Sequence, residues 1–261
     1  MFNLGIELLI NQRMLTAPPM TIEADIEFSR AGKGSTMELS IYNVSKETKA
    51  ECEKKGTEPA KIILNAGYKD ENNICTVFLG DILKPDIEPG IDEIFKITAS
   101  DATAKYLNIP VSVSYQSKMK ASQILSDVAS RVGITATTIE LQNDIEYETF
   151  AVNSTFGKLL ERLSTESKTY YYFRQGQLIF RHDKKGTALA IDLNHNSGLL
   201  FAEKIDSKRI KGQAIFQNKM TTGSYLVING KNVQGNFVAD KGKHHISSQS
   251  ESITDFEAVV L

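Results

Sequence analysis

Four histidines, a run of carboxylates and two thiols are the side chains of this 261-residue chain that could do chemistry. His182, His195, His244 and His245 are the natural general bases, because imidazole titrates near neutral pH unaided. None sits at a motif spacing from a nucleophile and an orienting carboxylate. His182 stands beside Asp183 at the end of an extended run, where a surface histidine is ordinary. His195 lies in the loop Asn194-His195-Asn196-Ser197-Gly198, with no partner evident. His244 and His245 are adjacent on a stretch that reads as a strand, so their rings point to opposite faces and do not share one metal ion. Glu23, Asp25 and Glu27 occupy alternate positions, a spacing that would suit a glycosidase acid pair. A solvated strand face explains them more simply, with Arg30 and Lys33 near enough to relieve their repulsion. Asp81, Asp101 and Asp255 each fall near an expected strand end, where carboxylates form turns.

Cys52 and Cys75 have no histidine at ligand spacing and are too few for a tetrahedral zinc site. Free, partly buried thiols are expected, not a disulfide framework. Gly32-Lys33-Gly34-Ser35 lacks the strand-loop-helix context of a phosphate-binding loop and reads as a hairpin turn. Tyr170-Tyr171-Tyr172-Phe173 could stack on bases or sugars, but a strand would turn half of these rings into a core. The sequons at Asn43 and Asn153 matter only on a secretory route. Residue chemistry alone therefore predicts no catalytic, cofactor-binding or metal site.

Composition narrows the classes further. The chain is 41% hydrophobic and 24% charged, as in ordinary globular proteins, with net charge −2. That balance argues against a dominant nucleic-acid role, which usually shows a basic surplus. No stretch has the length of apolar residues a bilayer span needs, and the start MFNLGIELLINQ lacks the basic lead of a signal peptide. Synthesis in the cytoplasm without an export address is the expectation.

The elements that must position these residues are mainly β. Ile22, Ala24, Ile26 and Phe28 alternate with the acidic residues, and Met37, Leu39 and Ile41 follow across a glycine-rich turn. Period two with one apolar face predicts a β-hairpin. Ser45 caps a short helix to about Lys55, stopped by Gly56. Strands are predicted over Lys61–Tyr68, Ile74–Ile82 and Glu93–Asp101, with a turn from Pro85 to Asp92. From Pro110 the character changes. Helices are predicted over Met119–Val132, closed by Gly133, and over Thr155–Lys168, with Asn153-Ser154 at its cap. A hairpin turning at Gln175-Gly176 follows. Beyond Gly186 the β character returns. Asn229-Gly230 predicts a two-residue hairpin, Asp240–Lys243 another turn, and Ile253–Leu261 a closing strand. The expected architecture is two small β-barrel-like domains, 1–108 and 186–261, flanking a small α/β domain, 109–185.

Taken in order, IEADIEFSR…STMELSIYNVS, Leu64-Asn65-Ala66-Gly67-Tyr68, Val77-Phe78-Leu79-Gly80-Asp81-Ile82 and Ile97-Thr98-Ala99-Ser100-Asp101 resemble the baseplate hub proteins of bacteriophage tails and phage-tail-like bacteriocins. Ala121–Leu125, Thr155–Leu160 and Asn196–Leu200 match the family's helices and the loop into its last domain. The resemblance spans nearly the whole chain. It implies a structural, non-enzymatic protein of the virion tail, a homotrimer with two barrels per subunit in a pseudo-six-fold ring. Implied partners are the tail tube or distal tail protein, the tape-measure protein, and a spike or fibre. DNA would pass through the bore without specific binding. The alternatives are a tail-associated enzyme that degrades the cell wall, and a carbohydrate- or receptor-binding module using Tyr170–Phe173.

Overall fold

The computed structural model of the chain describes residues 3–30, 34–53, 59–101, 104–134, 136–174, 176–182 and 189–261. The first β region holds β1 (Leu4–Ile10), β2 (Arg13–Ala17), β3 (Ile22–Ser29), β4 (Thr36–Tyr42), α1 (Lys46–Glu53), β5 (Lys61–Tyr68), β6 (Cys75–Glu88) and β7 (Ile94–Asp101). A middle region follows with β8 (Pro110–Tyr115), β9 (Met119–Lys120), α2 (Ala121–Val132), β10 (Ala136–Ile139), β11 (Glu146–Tyr147), β12 (Phe150–Thr155), α3 (Phe156–Ser167), β13 (Tyr170–Arg174) and β14 (Gln177–Arg181). The last region holds β15 (Ala190–Asn194), β16 (Leu199–Lys204), β17 (Arg209–Ile215), β18 (Tyr225–Asn229), β19 (Gln234–Ser247) and β20 (Ile253–Val260). The fold is mainly β with an α+β insert, as the sequence predicts.

The first and last regions share one sheet, ordered β16-β17-β20-β19-β3-β4-β7-β6-β5-β1-β2, with β18 and β15 branching from β19. The join is antiparallel pairing of β19 with β3, from Lys241 opposite Ser29 to Ser247 opposite Glu23. The apolar cores cross the join too. Phe216 and Ile246 pack into the core of the first region, and Phe28 packs into that of the last. The predicted hairpin is present, and its apolar face is buried at Ile22, Ala24, Ile26, Phe28, Met37, Leu39 and Ile41. Each such aliphatic or aromatic side chain contributes roughly 1.5–3 kcal/mol of transfer free energy.

Several local expectations need correction. β6 does not stop for a turn at Pro85 but runs to Glu88, with Pro85 opposite Ile97. β5 reaches only to Asp81 on its other side, so Pro85 lies on an edge, where its missing N–H leaves no ladder bond unmade. Asp240–Lys243 is no turn either, for β19 passes through it with a bulge between Ala239 and Lys241. A Cβ on Gly242 would sit 2.4 Å from the Asp255 carbonyl and 2.5 Å from the Phe28 ring. Glycine is there so that Phe28 can lie across the strand. Asn229 pairs with Gln234, which makes the loop between them four residues long, Gly230 to Val233. Its Gly230 N–H donates to the Val233 carbonyl (2.9 Å).

In the middle region, α2 and α3 bury Ile124, Leu125, Val128, Phe156, Leu159, Leu160 and Leu163 against Tyr171, Phe173 and Phe180 of the β13–β14 hairpin. Gly133 and Gly176 take the left-handed conformations expected of them (φ 88° and 81°). Ser45 does cap α1, its Oγ accepting from the Thr48 N–H (3.3 Å); Gly56 lies outside the described residues. The cap of α3 is instead Thr155, which makes no side-chain capping bond. The start of α2 is held from the polar loop after β10. There the Asp144 carboxylate accepts from the Ser122 N–H (2.9 Å) and hydroxyl (2.7 Å), a favourable place for negative charge.

Candidate assembly surface

The face of the sheet opposite the core is charged, and its charges alternate from strand to strand. One row runs Glu203, Lys211, Glu257, Lys241 across β16, β17, β20 and β19. The next runs Gln213, Asp255, Lys243, Glu27 across β17, β20, β19 and β3. A third joins Ser40, Lys96 and Asp86 across β4, β7 and β6. The rows are stitched by Lys211–Glu203 (2.8 Å), Lys241–Glu257 (3.0 Å), Lys84–Asp86 (3.0 Å) and Lys96–Glu88. Opposite charges across strands stabilise a sheet only modestly where both partners are exposed to solvent.

The acidic strand β3 belongs to this lattice. Asp25 accepts from His245 Nδ1 (2.8 Å), and Lys243 Nζ lies 3.2 Å from its other oxygen. Burial opposes its ionisation, yet those two hydrogen bonds outweigh it and hold the carboxyl below the usual range. Asp25 also stands opposite Glu38 on β4, a like-charge pair that His245 and Lys243 offset. Glu23 is reached by the Ser247 hydroxyl (3.5 Å). The geometry is that of a neutralised strand face.

His244 and His245 do point to opposite faces. His244 is 2% exposed, between the rings of Phe28 (5.0 Å) and Phe216 (5.5 Å). Its Nε2 lies 2.9 Å from the Met220 carbonyl, which only accepts, so Nε2 carries the proton. Nδ1 therefore accepts from the Thr254 hydroxyl (2.9 Å), whose oxygen accepts from the Gln217 N–H (2.9 Å). Burial pushes this imidazole down to about 4, with the Met220 bond opposing. It is a neutral core histidine with both nitrogens satisfied. His182 is half-buried just past β14, and His195 is exposed in its loop, where Asn194 Oδ1 accepts from the N–H groups of Asn196 (2.8 Å) and Ser197 (3.1 Å).

The remaining candidates are distributed rather than gathered. Asp81 is buried inside β6, 3.5 Å from Lys105 Nζ, and Asp255 sits mid-strand accepting from Gln213 Nε2 (2.8 Å); neither forms a turn. Asp101 does end β7. Cys52 and Cys75 are both free thiols; burial pushes Cys52 to about 12 and Cys75 upward. Gly32 and Lys33 lie outside the described residues. Among the described residues no group of His, Cys, Asp and Glu could hold a metal ion, and no helix is long and apolar enough to cross a membrane.

The tyrosine run is divided as a strand divides it. Tyr171 and Phe173 enter the middle core. Tyr172 is buried against Gly223, and the Arg30 guanidinium lies 4.7 Å over the Tyr170 ring while pairing with Asp240 (2.7 Å). Arg30 thus ties β3, β19 and β13 together, a role its sequence neighbourhood does not signal. Asn218 acts similarly, its Nδ2 donating to the carbonyls of Asn73 (2.6 Å) and Ala66 (3.3 Å).

The residues Leu64–Tyr68 and Val77–Ile82, the charged sheet and the α/β insert now stand in one arrangement, and the baseplate hub gp41 family model matches residues 19–255. The chain belongs to the baseplate hub gp41 family. A search of curated proteins returns no match by sequence. Solved structures share the fold at low identity. The 43 kDa tail protein of prophage MuSo2 from Shewanella oneidensis aligns with TM-score 0.71 and 10% identity, covering 98% of this chain and 96% of that one. A tail protein from Neisseria meningitidis MC58 aligns with TM-score 0.70 and 6% identity, over 99% and 97%. The E. coli c3393 protein, a type VI secretion component described as structurally similar to T4 bacteriophage tail proteins, aligns with TM-score 0.68 and 9% identity, over 97% and 76%.

Proposed function

We propose that this hub-family protein is a non-catalytic structural ring component that joins the tail tube to a spike or fibre, assembled as a homotrimer in the virion tail. The observation that carries this reading is the single sheet running through β19 and β3 from the first region into the last. It joins the two β regions by paired strands and shared apolar cores, which suits a segment of a ring. The same reading divides the chain into units 1–108, 109–185 and 186–261, with the outer two as the paired β-domains of each subunit. The tape-measure protein and the tube or distal tail protein are its partners. The paired outer face suits a bore that passes DNA without holding it, because lysines already matched by carboxylates release few counterions on meeting phosphate. Asp25, held by His245 and Lys243, does not suit an acid–base pair.

The test is the mass of the purified protein, alone and with its tail-tube partner. A trimer, or a ring formed only with the tube, is expected. A monomer that also fails to join the tube overturns the reading. Hydrolysis of purified peptidoglycan, lost when Glu23, Asp25 and Glu27 are neutralised, would establish the enzymatic alternative instead.

A further inference from the structure

Ten large apolar side chains are exposed among the described residues, and seven of them gather at two hairpins. Leu83, Ile87 and Ile91 lie on the β6–β7 hairpin, where β6 has outrun β5. Leu200, Phe201, Ile205 and Val260 lie along β16, its turn to β17, and the adjoining end of β20. These two hairpins are the opposite ends of the run β16-β17-β20-β19-β3-β4-β7-β6. A bulge marks each, between Ile82 and Lys84 and between Leu199 and Phe201.

Their charges are opposite. From Leu83 to Thr98 stand two cations, Lys84 and Lys96, and four carboxylates, Asp86, Glu88, Asp92 and Glu93, of which Asp86 pairs with Lys84 and Glu88 with Lys96. From Leu199 to Lys211 stand two carboxylates, Glu203 and Asp206, and four cations, Lys204, Lys208, Arg209 and Lys211. An acidic apolar hairpin and a basic apolar hairpin on one chain match each other, and neither matches itself. Contact between two copies is then head-to-tail, and such contacts close into rings when the rotation allows. A two-fold dimer through either hairpin would oppose like charges.

The β6 edge also restricts how the contact is made. Pro85 has no N–H, and the Ile87 N–H is taken by the Asp86 carboxylate (3.0 Å). An edge blunted in this way resists strand addition, so the contact is made by side chains. We propose that the acidic β6–β7 hairpin of one copy packs on the basic β16–β17 hairpin of the next. This inference rests on the ring reading and assigns its subunit contact.

The experiment compares the wild-type chain with three charge variants and one double-cysteine variant by sedimentation and native mass measurement, at low and high salt. Lys204→Glu with Lys208→Glu, and separately Glu88→Lys with Asp92→Lys, should each raise the concentration needed for assembly at least tenfold. Combining all four on one chain should restore it. Thermal unfolding shows whether each variant is folded. Cysteines placed at Ile87 and Phe201 should cross-link copies into closed covalent rings under oxidation. If the wild type assembles but the charge variants assemble equally well and the cysteines do not cross-link, the hairpin contact is wrong and the ring reading stands. If a folded four-fold variant remains unassembled where the wild type assembles, the contact is likewise overturned. If the wild type never assembles, alone or with its tube partner, both fall.

Discussion

His244 makes the stability of this protein pH-dependent in a defined window. Its imidazole titrates near 6.5 in the unfolded chain and at about 4 in the folded one. The depressed folded value means that acid favours the unfolded state. Stability from this group is fully present above about pH 6.5, falls as pH drops toward about 4, and is flat below. A tenfold change in proton affinity corresponds to about 1.4 kcal/mol, so the whole loss is about 3 kcal/mol, most of it gone by pH 4.5. That is a large fraction of the roughly 5–15 kcal/mol typical of a folded domain. The perturbation is His244→Gln, which never titrates and can still donate to the Met220 carbonyl. At pH 7 the variant should be less stable by about 1–3 kcal/mol, since the Thr254 hydroxyl loses its acceptor. The assay is urea unfolding at several pH values between 7 and 4.5. Other titrating groups cancel in the difference between the two proteins. The wild type should lose about 2–3 kcal/mol more than the variant over that range. Parallel pH profiles would refute the reasoning, as would an NMR titration placing His244 near 6.5 in the folded protein.

Two further substitutions probe the joins. Arg30→Ala leaves Asp240 without its 2.7 Å partner and uncovers Tyr170; with Asp240 about one-third exposed, the loss should be about 2 kcal/mol, below that of a fully buried pair. It should also hasten proteolysis between the sheet and the middle region, whereas Arg30→Lys should recover part of the stability. Gly242→Val places a branched side chain into the Asp255 carbonyl and the Phe28 ring, and should destabilise by about 1–3 kcal/mol with a lowered thermal midpoint. An unchanged midpoint would mean that Phe28 moves aside freely.

What the sequence shows and hides follows from where each residue's partners lie. The β3–β4 hairpin is readable because one face is buried and the other wet, so its pattern is complete within about twenty residues. Asp240-Lys-Gly-Lys243 has the composition of a turn. It becomes strand only because β20 and β3 flank it on both sides and Gly242 makes room for the ring of Phe28, far away in the chain. Pro85 misleads for the converse reason, since a strand with a neighbour on one side only tolerates it. Neither the neutral state of His244 nor the clamp at Arg30 has any local signal. Met220, Thr254, Asp240 and Tyr170 are brought to them by topology alone.

The join between β3 and β19 explains how the acidic face, whose spacing resembles that of a catalytic pair, comes to be matched by positive partners. A strand carrying Glu23, Asp25 and Glu27 alone would repel itself, and its repulsion with Glu38 on β4 would add to this. Among the described residues of the hairpin, the relief does not rest on Arg30, which is engaged with Asp240. It comes from Lys243 and His245, on a strand that the chain makes only after the middle region. The first β region therefore has an unbalanced face until the last one docks, and the last exposes Phe28's site until β3 arrives. Charge and apolar burial both reward the same pairing, so the two regions should unfold in one transition. Hydrogen exchange of the amides in β3 and β19 should report the same opening free energy. Separate values would mean that the two halves hold together more loosely than one sheet implies.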